Sequence, residues 1–196
     1  MDKLKQSAIS FARLMNYEYE LVAGSKKTLV KLTLFFQKIH FMHLVGLHKL
    51  TDLQIQRYSK EKMYDMIMND ELTYDYIQKS EFFSEISDRI DLFPRLEQAL
   101  DSNEIMIKYN SGFTSGTIIQ ASYIILCNFE DTVLHFFIDY DTEKDRYFGR
   151  SFFGRKDDKF TKGQQKFKIL KKYKKNTVND TTEILVDKNV IEKLST

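Results

Sequence analysis

Beyond Asn103 the chain changes from helical spacing to strict alternation, and that switch narrows the folds open to it. Residues 132–140 set Leu134, Phe136, Ile138 and Tyr140 on one side and Val133, His135, Phe137 and Asp139 on the other. Such a period of two belongs to extended chain, because successive side chains of a strand point to opposite faces. The same reading gives strands over 104–109, 117–127, 146–155, 166–173 and 182–186. The short gaps between them predict an antiparallel meander.

The first half reads differently. Leu4, Ala8, Phe11, Ala12, Leu14 and Met15 recur with a helical period. Residues 17–21 then alternate, Ala23-Gly-Ser-Lys-Lys27 supplies a turn, and Val30, Leu32, Leu34 and Phe36 alternate again as the second arm of a β-hairpin. From about 52 to 102 the spacing is helical once more, through Met63, Met66, Ile67, Tyr74, Ile77, Ile86 and Ile90, with Pro94 near the start of a last helix. The expected fold class is α+β: a helical layer packed on an antiparallel sheet, preceded by an N-terminal helix and β-hairpin. No repeat, linker or composition break divides the chain. One domain over 1–196 is expected, with a core of about 15–187 that includes the acidic helical segment 52–102.

At 42% hydrophobic and 30% charged, the composition is that of a folded, soluble protein. Cys127 is the one cysteine, which excludes an internal disulfide and zinc sites built on several thiols. Its place in an apolar run predicts an inert buried thiol. The N-terminal residues lack the apolar core of a signal peptide, and no run reaches the roughly 20 apolar residues of a membrane span. The expectation is a cytoplasmic protein without a membrane partner.

The net charge of +2 hides a division. Glu61–Glu104 holds 12 acidic and 4 basic residues, and Arg155–Lys175 holds 10 basic and 2 acidic. The first reads as a solvated helical surface and the second as a surface for a polyanion, of which nucleic acid is the commonest.

Candidate chemistry concentrates in Phe36-Gln-Lys-Ile-His40-Phe-Met-His43-Leu-Val-Gly46-Leu-His48-Lys49-Leu50. It holds three of the four histidines, where an apparent strand runs into a glycine-broken turn. Histidine titrates nearest neutral pH and is the first candidate for proton transfer. The plainer reading is a core segment, with each ring held by a backbone partner. There is no phosphate-binding glycine loop, no Gly-x-Ser-x-Gly elbow and no His-Glu-x-x-His helix. No carboxylate near the histidines completes a ligand set, so neither a metal nor another cofactor is expected.

Metal-free RNA cleavage is the chemistry this inventory serves best. One group takes the ribose 2′ proton, another protonates the leaving oxygen, and cations stabilise the phosphoryl charge. His43 and His48 suit the proton transfers; Lys49, Arg150 and Lys166 suit the phosphate. RNA contacts are expected at Lys162, Gln164, Lys168 and Tyr147, with aromatic faces available for unpaired bases.

The segments Phe41–Leu50, Lys79-Ser80-x-Phe82-Phe83-x-x-Ile86-x-x-Arg89-Ile90, Leu100-Asp101-x-Asn103, Ala121–Leu126, Phe152-Phe153 and Gln164–Lys172 occur in an order that is similar to one family. Over roughly residues 15–185 the chain resembles the fourth family of phage-associated nuclease-like domains of the barnase–EndoU–colicin–RelE superfamily. The resemblance implies a helical layer beside an antiparallel sheet and a metal-independent ribonuclease of phage or mobile-element origin, toxin-like in type, with RNA as partner. It carries over the positions His43, Gly46 and His48; the roles above come from residue chemistry. The alternative is a non-catalytic RNA-binding or host-interaction module on the same fold. Neither a cognate inhibitor nor a host protein can be read from the residues.

Overall fold

The computed structural model describes residues 1–26, 28–129 and 131–188. Lys27 of the expected turn and the end of the expected 1–196 unit lie outside these. Helix α1 (Lys3–Leu14) starts on the Asp2 carboxylate, which accepts from the Lys5 N–H, and buries Leu4, Ala8, Phe11 and Leu14. Strands β1 (Tyr17–Ser25) and β2 (Thr28–Phe35) form the expected hairpin. Five short helices follow: α2 (Lys38–Leu44), α3 (Lys60–Met68), α4 (Tyr74–Ile77), α5 (Ser87–Leu92) and α6 (Leu96–Ser102). Strands β3 (Ile105–Lys108), β4 (Tyr123–Phe129), β5 (Thr132–Asp141), β6 (Arg146–Arg155), β7 (Gln165–Asn176) and β8 (Thr182–Asp187) complete the order. No helix among the described residues is long and apolar enough to cross a membrane.

The strands do not form an open antiparallel sheet under a helical layer, and that expectation is corrected. Their order is β1-β2-β6-β5-β4-β3-β7, and β7 pairs back onto β1, so seven strands close into a barrel with β8 added outside. The barrel is mixed: β2 and β6 run parallel through Leu34↔Tyr147 and Phe35↔Phe148. Two features close it. The hairpin strand β1 pairs along both edges, and the 12-residue β7 is long enough to meet β3 at its start and β1 along the rest. Closure gives each of these seven strands a neighbour on both sides, the β2–β6 seam being the shortest. Alternation in sequence states which face a residue takes but not which strand lies beside it, so ring closure was not legible.

Two further local differences bear on the site. The strand does not run into the glycine turn; α2 stands between them, started by a reciprocal pair in which the His40 ring accepts from the Gln37 N–H. Residues 117–121, expected as strand, are irregular and border the cleft described below.

The faces of β5 and β6 fall as the alternation requires. Leu134, Phe136, Ile138 and Phe152 join the main core, which also takes in the buried faces of α1, α2, α3, α5 and α6. His135, Phe137 and Phe153 point the other way, into a second cluster with Ile107, Tyr109, Ile124 and Phe160.

Candidate active site

A cleft of about 630 Å3 opens where α2, α5 and β6 meet. α2 and the turn after it contribute His43, His48 and Lys49. Gly46 makes this possible in two ways. Its φ of 83° reverses the chain between the histidines, a conformation that costs residues with a Cβ. A Cβ there would also stand 2.6 Å from Ile86 Cγ2 and 3.0 Å from Arg89 Cδ, so the glycine admits the segment that carries Arg89.

The reversal brings the His43 and His48 rings to 4.7 Å between centroids. Burial, then the neighbouring His48, Lys60 and Arg150, push the His43 pKa down to about 4. Burial and the Arg89 guanidinium lower that of His48, against a smaller opposing effect of the Met42 carbonyl. Both surroundings therefore favour the neutral ring. His48 Nδ1 is sealed from solvent without a hydrogen-bond partner among the described residues.

Arg89 forms part of the cleft wall with only 6% of its surface exposed. Nη1 donates to Ser151 Oγ at 3.2 Å, and the guanidinium lies over the Phe153 ring at 5.3 Å. Nε is sealed, with no partner among the described residues. Asp88 and Glu85 are near enough to favour its charge, yet among the described residues no carboxylate forms an ion pair with it. A buried cation held this way is costly until an anion meets it.

Strand β6 adds Arg150 through a bulge. Phe137 pairs with Ser151 and Ile138 with Gly149, which leaves Arg150 unmatched and exposed at the cleft. Bulges re-aim side chains in this way. Gly149 beside it lets the strand press against Phe136 and Leu44, where a Cβ would meet atoms at 2.8 and 2.9 Å. At the rim two cations are already engaged: Lys49 Nζ contacts Glu85 at 3.1 Å, and Arg155 pairs with Asp157.

Of the residues expected from sequence, His43, His48, Lys49 and Arg150 come together here. Lys166 does not line the cleft; it is exposed on β7, as is Lys168, while Lys162 is exposed in the turn before that strand. Gln164 is buried, with its amide holding both the N–H and the carbonyl of Asn110 at 3.0 and 2.9 Å. Tyr147 packs against Tyr140 and Tyr123 and lines a separate hollow with Glu20 and Lys31. The later part of the basic run is largely internal: Lys172 is fully buried and donates to the carbonyls of Leu100, Asp101 and Asn103, and Lys174 pairs with Glu97 and Asp101.

Arg89 and Ser151 were missed as site residues. The signal for Arg89 is its spacing: it shares the apolar stripe of Ile86, Ile90 and Phe93, where a charge is out of place.

The sequence profile of the family described as phage-Barnase-EndoU-ColicinE5/D-RelE like nuclease4 matches residues 3–189. The chain belongs to that family. No curated protein and no solved structure matches it. Membership supports a nuclease function in general terms. The matched span of this family member contains every residue of the cleft. Its other two histidines have structural partners: His40 stacks on Phe148 at 5.0 Å, and His135 Nδ1 pairs with the Val133 carbonyl at 2.9 Å. Among the described residues no three His, Cys, Asp or Glu side chains converge as metal ligands.

Proposed function

We propose that this member of the nuclease family cleaves single-stranded RNA without a metal, at the His43–His48 cleft, by attack of a ribose 2′-hydroxyl on its own phosphate. The observation that carries the reading is a pair of imidazole rings 4.7 Å apart in a cleft walled by a buried arginine that has no ion-paired carboxylate among the described residues. His43, the ring that Arg150 also faces, takes the 2′ proton as the O2′–P bond forms. The P–O5′ bond breaks, and the departing oxygen receives a proton from His48. A bound phosphate supplies the negative charge that lifts the depressed histidine pKa values, so one ring of the pair holds a proton in the complex. Arg89 and Arg150 balance the charge that grows on the non-bridging oxygens. Lys49 assists at the rim; Lys162, Lys166 and Lys168 attract the chain over the outer surface.

The test is end-labelled RNA incubated with the protein in excess chelator. Cleavage leaving 2′,3′-cyclic phosphate and 5′-hydroxyl ends, lost in His43→Ala, supports the proposal. Cleavage that disappears with chelator in the wild type overturns it. The depressed histidines also favour a second reading, a module that binds RNA without cutting, because burial in the free protein disfavours the protonated form of both cleft imidazoles. RNA that stays intact, with His43→Ala binding it as tightly as the wild type, decides for that second reading.

A further inference from the structure

A second hollow of about 600 Å3 adjoins the cleft, and Gln120 lines both. We propose that this hollow is a base site: it takes the unpaired base of the nucleotide next to the phosphate held in the cleft. The proposal rests on the RNA reading above and adds where the neighbouring nucleotide goes.

The loop between β3 and β4 divides the two hollows and presents apolar side chains to both. Phe113 lines the second hollow with 60% of its surface exposed, and Ile118 lines the cleft with 98% exposed. A phenylalanine ring standing free in water next to a polar hollow has an unused π-face, and base–aromatic stacking is the interaction it offers to RNA. Gly163 flanks the ring, where an added Cβ would stand 3.5 Å from a ring carbon. The walls are fixed. Gln164 bonds both backbone groups of Asn110, and the Asn110 side chain accepts from the Gly112 N–H at 2.9 Å. A platform that need not be ordered on binding loses little entropy when a base arrives.

Polar chemistry fits the same occupant. Ser111, Gln120 and Gln165 line the hollow as exposed polar residues. Lys108 stands exposed at the lip, and the exposed Lys162 is the chain neighbour of the lining residue Gly163. Cations around an aromatic face are the combination that follows a single strand. Bases inside a duplex are paired and stacked on one another, so the site selects unpaired RNA.

Binding is measured with a fluorescent trinucleotide of 2′-O-methyl RNA, whose blocked hydroxyl cannot attack, so the readout is independent of cleavage. Phe113→Ala weakens it about tenfold, Phe113→Tyr restores it, and the shift in melting temperature caused by inorganic phosphate is the same in all three proteins. Trinucleotide affinity unchanged in Phe113→Ala overturns the proposal. So does a blunt RNA duplex that binds as tightly and loses as much on the substitution. Should unmodified RNA survive the wild type while the Phe113 dependence holds, the cleavage reading fails and the base site stands.

Discussion

Gly46 and Arg89 are packed so closely that a single added methyl carbon would stand 3.0 Å from the arginine Cδ and 2.6 Å from Ile86. The turn that pairs the histidines and the helix that carries the buried cation are thus one unit, and disturbing either moves the other. Gly46→Ala combines a left-handed backbone penalty of about 1–2 kcal/mol with overpacking of about 1–3 kcal/mol. Urea unfolding is expected to show a loss of roughly 2–4 kcal/mol, with RNA cleavage falling in the fraction that stays folded.

Arg89→Met separates stability from chemistry. Replacing a buried guanidinium that lacks an ion-paired carboxylate by an apolar chain of similar length leaves stability unchanged or raises it by about 1–2 kcal/mol. Cleavage falls by about 100- to 1,000-fold, the usual loss when one preorganised charge donor is removed. Unfolding curves and single-turnover rates on the same preparation check both signs.

Acid lowers the stability of this protein before its carboxylates titrate. Burial holds His40, and burial with His48 holds His43, at about 4 against an ordinary 6.5. In the unfolded chain both take protons from pH 6.5 downward, so their contribution to stability is full above 6.5 and is lost as the pH falls toward 4. His40 accounts for about 2 kcal/mol at pH 4.5; the half-exposed His43 accounts for less because solvent screens it. Denaturation at pH 7 and 4.5 measures their sum together with the contributions of His48 and His135, which burial also lowers. Proton NMR of the ring C–H groups gives the midpoints, and adding inorganic phosphate is expected to raise that of His43.

Lys172→Met is a structural defect and not a binding defect. It strips the hydrogen bonds from three carbonyls at the end of α6, where a lysine also complements the helix dipole. A loss of about 2–4 kcal/mol is expected, with RNA affinity of the folded protein unchanged. Lys166→Ala does the reverse. Stability stays within about 0.5 kcal/mol, while the slope of log affinity against log salt shrinks by about 0.7, one phosphate contact on a single strand.

Reading from residues alone reached the N-terminal helix, the hairpin, the strand segments apart from 117–121, the family and the two histidines of the cleft, because each is written in local spacing or a contiguous motif. Leu134, Phe136 and Ile138 on one face and His135 and Phe137 on the other needed only the period of a strand. Ring closure by β7 on β1, the helix that stands between the strand and the glycine turn, and the arrival of Arg89 beside His48 are of another kind. They depend on which distant segments pack together. Pairing of strand edges and the docking of α5 over Gly46 are settled by the sum of many weak contacts across the whole core, and no single stretch of sequence contains that sum. The basic run makes the same point. Lys166 and Lys172 look alike in the chain, yet one stands in water on β7 and the other is sealed against the end of a helix, because only the folded barrel decides which side of a strand meets another layer.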